Sequence, residues 1–322
     1  MKTGIAVAGS ILVDKINEIS AYPTAGELTK ILRTNLAVGG CVPNVAIDLK
    51  RMDCTLGVEA IGNVGKDEEG AFVKTTLINN DVVCKGVKEI AEKTSFTEVM
   101  SVVGGQRTFF TYAGASATFG IEDIDFDALN VKMLHLGYFL LLDKVDNGDG
   151  LKILKKAKEC NIKTSIDLVS ENSDRYKDIL PCLSYTDNLI INEVEAGKIT
   201  DIKPTEANIQ KIAEKLKSYG VKERVIIHAP NFGVCMSESG FTVVPSFSLP
   251  EGFIKGTTGA GDAFCAACLL GIYYEKSDKE ILSFASAAAV SALSETDATS
   301  GVRSVEEIEK FCSTLKRRKI CL

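Results

Sequence analysis

The run Gly256-Thr257-Thr258-Gly259-Ala260-Gly261-Asp262-Ala263-Phe264 sets small residues and one carboxylate directly before an apolar segment, Cys265 to Tyr274. Gly259 and Gly261 let the backbone turn tightly and come close to a ligand. Amides freed at the start of a following helix hold an anion, helped by the positive end of the helix dipole. A carboxylate beside such an anion hole is placed to take a proton from an attacking hydroxyl. The chemistry suggested is phosphoryl transfer, with Asp262 as base and Gly259, Ala260 and Gly261 as the charge sink. The same residues also read as a plain helix entry, with glycine for the turn and Asp262 near the N-cap.

The elements that would position this loop follow from periodicity. Strand-like runs at Gly4 to Gly9, Thr55 to Ile61, Met133 to Gly137, Lys163 to Asp167, Leu189 to Asn192 and Arg224 to His228 alternate with helical patterns. The helices are expected at Asn44 to Met52, Glu68 to Asn79, Gly150 to Cys160 and Ala207 to Tyr219. This β-α-β rhythm predicts a parallel sheet covered by helices on both faces, with ligands beyond the carboxyl ends of the strands. Two segments, Ile11 to Val38 and Lys93 to Tyr112 around the Gly104-Gly105 turn, break the rhythm and read as antiparallel strands outside the main sheet. Together they form an expected β lid, built from about 11–38 and 93–113, on a single α/β domain spanning 1–322.

Composition sets the class. A chain of 322 residues with 45% hydrophobic and 25% charged content is that of a soluble globular protein. Net charge is −6 and the basic residues are scattered apart from Lys316-Arg317-Arg318-Lys319, read as a solvated helix end, so no nucleic-acid partner is expected. No apolar run reaches the length of a secretory or membrane-spanning segment, so a cytoplasmic protein without a membrane partner is expected. The ten cysteines are spread along the chain and read as reduced, structural thiols, including the C-x-x-C of Cys265 and Cys268. With only His135 and His228 present, each in a strand-like run, neither a histidine triad nor a zinc site is expected.

Five motifs in order resemble the ribokinase-like (PfkB) carbohydrate kinase family over nearly the whole chain. Thr257 to Phe264 is similar to that family's C-terminal signature, which implies Asp262 as catalytic base and the amides of Gly259, Ala260 and Gly261 as its anion hole. Gly39-Gly40-Cys41-Val42-Pro43-Asn44-Val45-Ala46 resembles the N-terminal G-G-x-x-x-N-x-A, whose glycines and asparagine contact the sugar; alone it also reads as a strand end and helix start. Gly9-Ser10-Ile11-Leu12-Val13-Asp14 resembles the first strand end, where Asp14 would hold substrate hydroxyls. Gly62 to Gly70 is similar to G-x-V-G-x-D-x-x-G, read as a structural turn capped by Asp67. Asn192-Glu193-Val194-Glu195 matches N-x-x-E, which implies Asn192 and Glu195 at Mg²⁺ and the ATP phosphates, largely through water; alone the pair also reads as a helix cap. Arg107 is similar to a lid arginine that reaches the substrate, and equally fits a surface charge.

Two positions depart from the family pattern. Gly256 stands where many relatives carry an aspartate that helps bind a monovalent cation, which puts a K⁺ requirement in doubt. Pro230 replaces the first glycine of a G-x-x-G under the nucleotide and removes an amide, leaving Gly233 as the loop contact beside Thr257.

The resemblance implies a ribokinase-like three-layer α/β/α core with a central, mostly parallel sheet and a small β-sheet lid. It also implies ATP-dependent phosphorylation of a primary hydroxyl of a small sugar. A nucleoside kinase of the same fold is the alternative, with Phe109, Phe110, Tyr112 and Phe119 available as a slot for the base. A catalytically silent sugar-binding regulator is a third reading. A homodimer through the lid is expected, with Ile31, Leu32, Leu36, Val99 and Val102 as its apolar face.

Overall fold

A computed structural model of the protein describes residues 2–102 and 107–320. The Gly104-Gly105 turn and Cys321 lie outside the described residues. Nine strands form one sheet: β1 (Ile5–Gly9), β4 (Val58–Gly65), β5 (Val83–Ile90), β8 (Met133–Phe139), β9 (Lys163–Leu168), β10 (Asn188–Asn192), β11 (Arg224–His228), β12 (Phe232–Ser237) and β13 (Gly240–Pro245). Their order is β13-β12-β11-β10-β9-β8-β1-β4-β5, parallel except for the β11–β12 and β12–β13 pairs. Four strands form the second sheet in the order β3-β2-β6-β7, from β2 (Leu12–Ile19), β3 (Ile31–Gly39), β6 (Ser95–Val102) and β7 (Arg107–Tyr112).

Alternation along the strands supplies two cores. Ile5 and Val7 of β1 pack into one, with α1 (Cys41–Met52), α2 (Glu68–Asn79), α8 (Ala260–Tyr273), α9 (Asp278–Ala292) and α10 (Val305–Cys312). Ala6 and Ala8 face the other, with α4 (Gly150–Glu159), α5 (Leu180–Leu183), α6 (Glu193–Thr200) and α7 (Ile209–Ser218). Successive residues of a strand point to opposite faces, so a run such as Ile5-Ala6-Val7-Ala8 is apolar throughout when both faces are covered. This is the three-layer arrangement that the rhythm implies. A short helix, α3 (Gly114–Ala117), follows the second sheet.

Several expectations are corrected. β4 begins at Val58, because Thr55 is tied into a turn by Asp53, whose Oδ1 accepts from its amide at 2.9 Å and its hydroxyl at 2.6 Å. The second sheet is not wholly antiparallel: β2 and β6 run parallel, since the chain passes through α1, β4, α2 and β5 between them. Val99 is buried inside that sheet and gives nothing to an outer apolar face. Phe119 is fully buried in the main core and cannot line a base slot. The basic run Lys316 to Lys319 is no free helix end: Arg317 lies 4.2 Å over the Phe247 ring and donates to the Pro245 carbonyl at 2.6 Å, and Arg318 reaches Asn231 Oδ1 at 2.9 Å. It straps the end of the chain to the segment after β13.

Helix α1 starts at Cys41, three residues before the expected start, which puts Asn44 in its first turn and Asp48 one turn later on the same face. Asp48 is fully buried and neither carboxyl oxygen has a hydrogen-bond partner among the described residues. Burial pushes its pKa well above the usual carboxylate range, so it is carried as a neutral acid. A folded pKa above the unfolded one makes the folded state bind the extra proton, so stability falls as pH rises above the unfolded value of about 4. In urea unfolding, wild-type stability should decline from pH 5 to pH 8 more steeply than that of Asp48→Asn, which has no proton to lose. Equal slopes would contradict this.

Candidate active site

The loop before α8 brings the first pieces together. Gly259 is its N-cap at φ 78, a left-handed conformation that favours glycine, and a Cβ there would overlap the Ala298 backbone. The Ala260 amide turns back toward the Thr257 carbonyl at 3.5 Å, and Ala263 closes on Gly259 at 2.8 Å. Among the described residues the Gly261 and Asp262 amides have no carbonyl partner, which leaves donors along the helix axis. Gly261 borders the open side: a Cβ there would meet only the His228 ring, at 3.6 Å. His228 is half-buried against Phe264, and desolvation lowers its pKa to about 4, so it adds no positive charge.

Asp262 is 5% exposed and accepts from Asn44 Nδ2 at 2.9 Å on one oxygen. The Tyr138 hydroxyl reaches both oxygens, at 2.9 and 3.0 Å. Burial raises the Asp262 pKa to about 7, the Asp167 charge adds to the rise, and the Asn44 and Tyr138 hydrogen bonds oppose it. A carboxylate with a pKa near the working pH is suited to general base catalysis. Asn44 thus serves the carboxylate directly, and its Oδ1 is buried without a partner.

Tyr138 and Asp167 were not singled out in the sequence. The β8–β9 register shifts between Leu136 and Phe139, and Tyr138 takes φ 61 there, costing of order 1–2 kcal/mol for a residue with a Cβ. Its amide donates to Asp167 Oδ1 at 2.6 Å, which holds the bulge. Both residues end parallel strands, the position where such sheets bind ligands, and that was the available signal.

The other sequence candidates lie on separate elements. Asp14 lies on β2 beside Gly39, where an added Cβ would stand 2.6 Å from Asp14 Oδ2, and burial raises the Asp14 pKa to about 7. Gly40, at φ 86, is the N-cap of α1. Asn192 and Glu195 form a capping box at the start of α6: the Glu195 amide donates to Asn192 Oδ1 at 2.9 Å, and the Asn192 amide donates to Glu195 Oε2 at 3.1 Å. Ser170 donates to Glu195 Oε1 at 2.7 Å, while burial raises the Glu195 pKa to about 7. A cavity of about 190 Å³ joins Asn192 and Glu195 to Gly259, Gly261, Asp262, Tyr138 and Asp167.

Arg107 of β7 donates to Thr258 Oγ1 at 2.6 Å, so the second sheet touches the Asp262 loop directly. Thr257 is exposed beside it. Gly233 is not on a loop: it lies inside β12, paired with His228 and Val244, under the Phe264 ring. Asp67 caps α2 as expected, accepting from Gly70 at 2.8 Å, and also ties down Thr94, just before β6.

The family model described as pfkB family carbohydrate kinase matches residues 2–304. A ribokinase of Arabidopsis thaliana is 27% identical over 291 residues, covering 88% of this chain and 74% of its own. Fructokinase-1 of Zea mays is 27% identical over 282 residues, covering 84% of this chain and 83% of its own. Among solved structures, Arabidopsis thaliana ribokinase complexed with ribose and ATP superposes with a TM-score of 0.82 at 22% identity, over 96% of this chain and 98% of that one.

Because the Tyr138 hydroxyl stabilises the charged carboxylate, Tyr138→Phe should move the acid limb of the kcat/KM profile toward alkaline pH by roughly 0.5–1 unit. The wild-type limb should fall near pH 7, the value of the buried Asp262. A limb that stays put or moves to lower pH in the variant would contradict the assignment.

Proposed function

This chain belongs to the pfkB family of carbohydrate kinases, and on that premise we propose that it transfers the γ-phosphoryl group of ATP to a primary hydroxyl of a small sugar, with Asp262 as general base. The observation that carries the reading is a buried carboxylate, with a pKa of about 7, at the N-terminus of a helix whose first amides lack carbonyl partners. Asp262 accepts the hydroxyl proton as the oxygen attacks. The Gly261 and Asp262 amides, with the flanking Gly259 and Ala260, receive the charge that develops on the phosphoryl oxygens. Asp14, Gly39, Gly40 and Asn44 position the sugar, and Arg107 joins them when the second sheet acts as a lid.

Ser170, Asn192 and Glu195 offer oxygen donors on the same cavity wall, which fits a hydrated Mg²⁺; Glu195, with Asn192, would hold it through water. When bound, the ion offsets negative charge on the nucleotide phosphates. A side-chain ligand for K⁺ at position 256 has no room, since a Cβ on Gly256 would lie 2.8 Å from the Glu295 carbonyl. Any monovalent site there rests on backbone oxygens alone. Gly233, buried inside β12 under Phe264, is closed off from a nucleotide, so the nucleotide role falls to Thr257 on the exposed loop.

A nucleoside acceptor is the second reading, supported by Phe109 and Phe110, which are 57% and 59% exposed on the strand that carries Arg107. Coupled ADP release across hexoses, pentoses, sugar acids and nucleosides separates the two. Turnover on a sugar should fall about 10²–10⁴-fold in Asp262→Asn with KM little changed. Binding without turnover in the wild type would overturn the kinase assignment and favour a silent sugar binder.

We also place a homodimer at the lid. Ile31, Leu32 and Leu36 of β3 are exposed, as are Phe109 and Phe110 of β7. No cysteine among the described residues is disulfide-bonded, and no described helix is long and apolar enough to cross a membrane, which suits the cytoplasmic reading. Light scattering at micromolar concentration should give a mass near twice 34.6 kDa, reduced by Leu32→Lys. A monomer mass for the wild type would remove the dimer.

A further inference from the structure

Next to Asp262, ligand-type side chains from separate elements meet. Cys41 opens α1, His135 lies in β8 and Asp167 near the end of β9; all three are buried, and their ligand atoms lie within 4.8 Å of one another. Cys265 of α8 stands at the edge of this group, outside the 4.8 Å set but with its Sγ 3.6 Å from His135 Nε2, and Asp167 Oδ2 stands 3.6 Å from the same nitrogen. His135 Nδ1 is 3.0 Å from Ser165 Oγ, which fixes the ring with Nε2 toward the cluster. A histidine held by one nitrogen while the other faces a carboxylate and a thiol is the arrangement of a metal ligand with its supporting partner.

The dimensions agree with that chemistry. Zinc bonds of about 2.0–2.3 Å in a tetrahedron put donor atoms about 3.3–3.8 Å apart. The two 3.6 Å separations from His135 Nε2 already meet this, the 4.8 Å limit leaves Cys41 a side-chain adjustment of about 1 Å, and Cys265, outside that limit, must swing further toward the other ligands to close the tetrahedron. Access exists, because Asp167 and Cys265 line the same cavity as Asp262. Packing explains Cys41 only in part: the missing Cβ of Gly137 makes room for its sulfur, but packing does not require an imidazole and a carboxylate around it.

We propose that Cys41, His135, Asp167 and Cys265 form a binding site for a thiophilic divalent cation of the zinc class, separate from the oxygen donors around Glu195, and that filling it slows turnover. On binding, each ligating thiol releases its proton to solvent and forms a sulfur–metal bond, while neutral Nε2 and the carboxylate supply lone pairs. Inhibition follows from connectivity: Cys41 begins the helix that carries Asn44, and Asp167 holds the Tyr138 amide, so the ion pulls on both hydrogen-bond donors to Asp262. This last step rests on the assignment of Asp262 as base, whereas ion binding does not.

The test is Co²⁺ titration of the full chain in a Cys54→Ser/Cys321→Ser background, which removes the one exposed thiol among the described residues and the cysteine outside them. One equivalent should produce a near-ultraviolet thiolate-to-cobalt band and visible tetrahedral bands, displaced by Zn²⁺ and untouched by excess Mg²⁺. Cys41→Ser should abolish the stoichiometric signal, and Cys265→Ala, the second variant should the first not fold, should weaken the thiolate band about twofold. Saturating Zn²⁺ should lower turnover at least tenfold, reversibly on chelation, and Cys41→Ser enzyme should resist it. Absence of a thiolate band in the Cys54→Ser/Cys321→Ser protein, or a band that survives both Cys41→Ser and Cys265→Ala, would overturn the site. A Zn²⁺-loaded enzyme of unchanged turnover would overturn the inhibition while leaving the binding site standing.

Discussion

The structure depends on keeping one carboxylate out of water and still able to ionise. Burial of Asp262 opposes its charge, and the Asn44 amide and the Tyr138 hydroxyl restore enough of it to leave a pKa of about 7. Each of these donors comes from a different element, so the balance fixes where α1, β8 and α8 must sit relative to one another. The strained Tyr138 is a local cost accepted at that junction, while Gly259 takes its left-handed conformation freely. An ordinary surface aspartate would ionise more readily but could not take up a proton near neutral pH.

Around that centre the carboxyl groups are arranged by depth. Asp167 stays close enough to raise Asp262, while Asp14 on the second sheet and Glu195 at α6 are each pushed up toward neutrality by their own burial. Interacting groups with similar values titrate as a set, so a pH profile reports the site as a whole. Arg107 on Thr258 and Lys15 on Glu69, at 3.0 Å, tie the small sheet to the main body. The small sheet is thereby in direct contact with the loop that carries Asp262.

Much of this was legible in the sequence where a local rule applied. The α2 boundaries, the Asp67 cap and the β1, β8, β10 and β11 strands follow from period and punctuation, and the Gly259–Asp262 loop declares itself by glycine spacing. Pairing depends on what lies far away in the chain, which is why the parallel β2–β6 contact and the burial of Val99 were hidden. Tyr138 was hidden for the same reason, because its role arises from a bulge that only the neighbouring strand creates. Counting two histidines argued against a histidine triad or a zinc site, but a count cannot show that one of them lies beside two thiols and a carboxylate.

The most direct measurement is the titration of Asp262 itself, by carbon NMR of the protein with ¹³C-labelled aspartate carboxyl groups, assigned by the resonance missing from Asp262→Asn. The structure requires a midpoint near pH 7 for that resonance, moved upward in Tyr138→Phe. A midpoint close to the ordinary aspartate value of about 3.9 would show a solvated, permanently charged group and contradict the account.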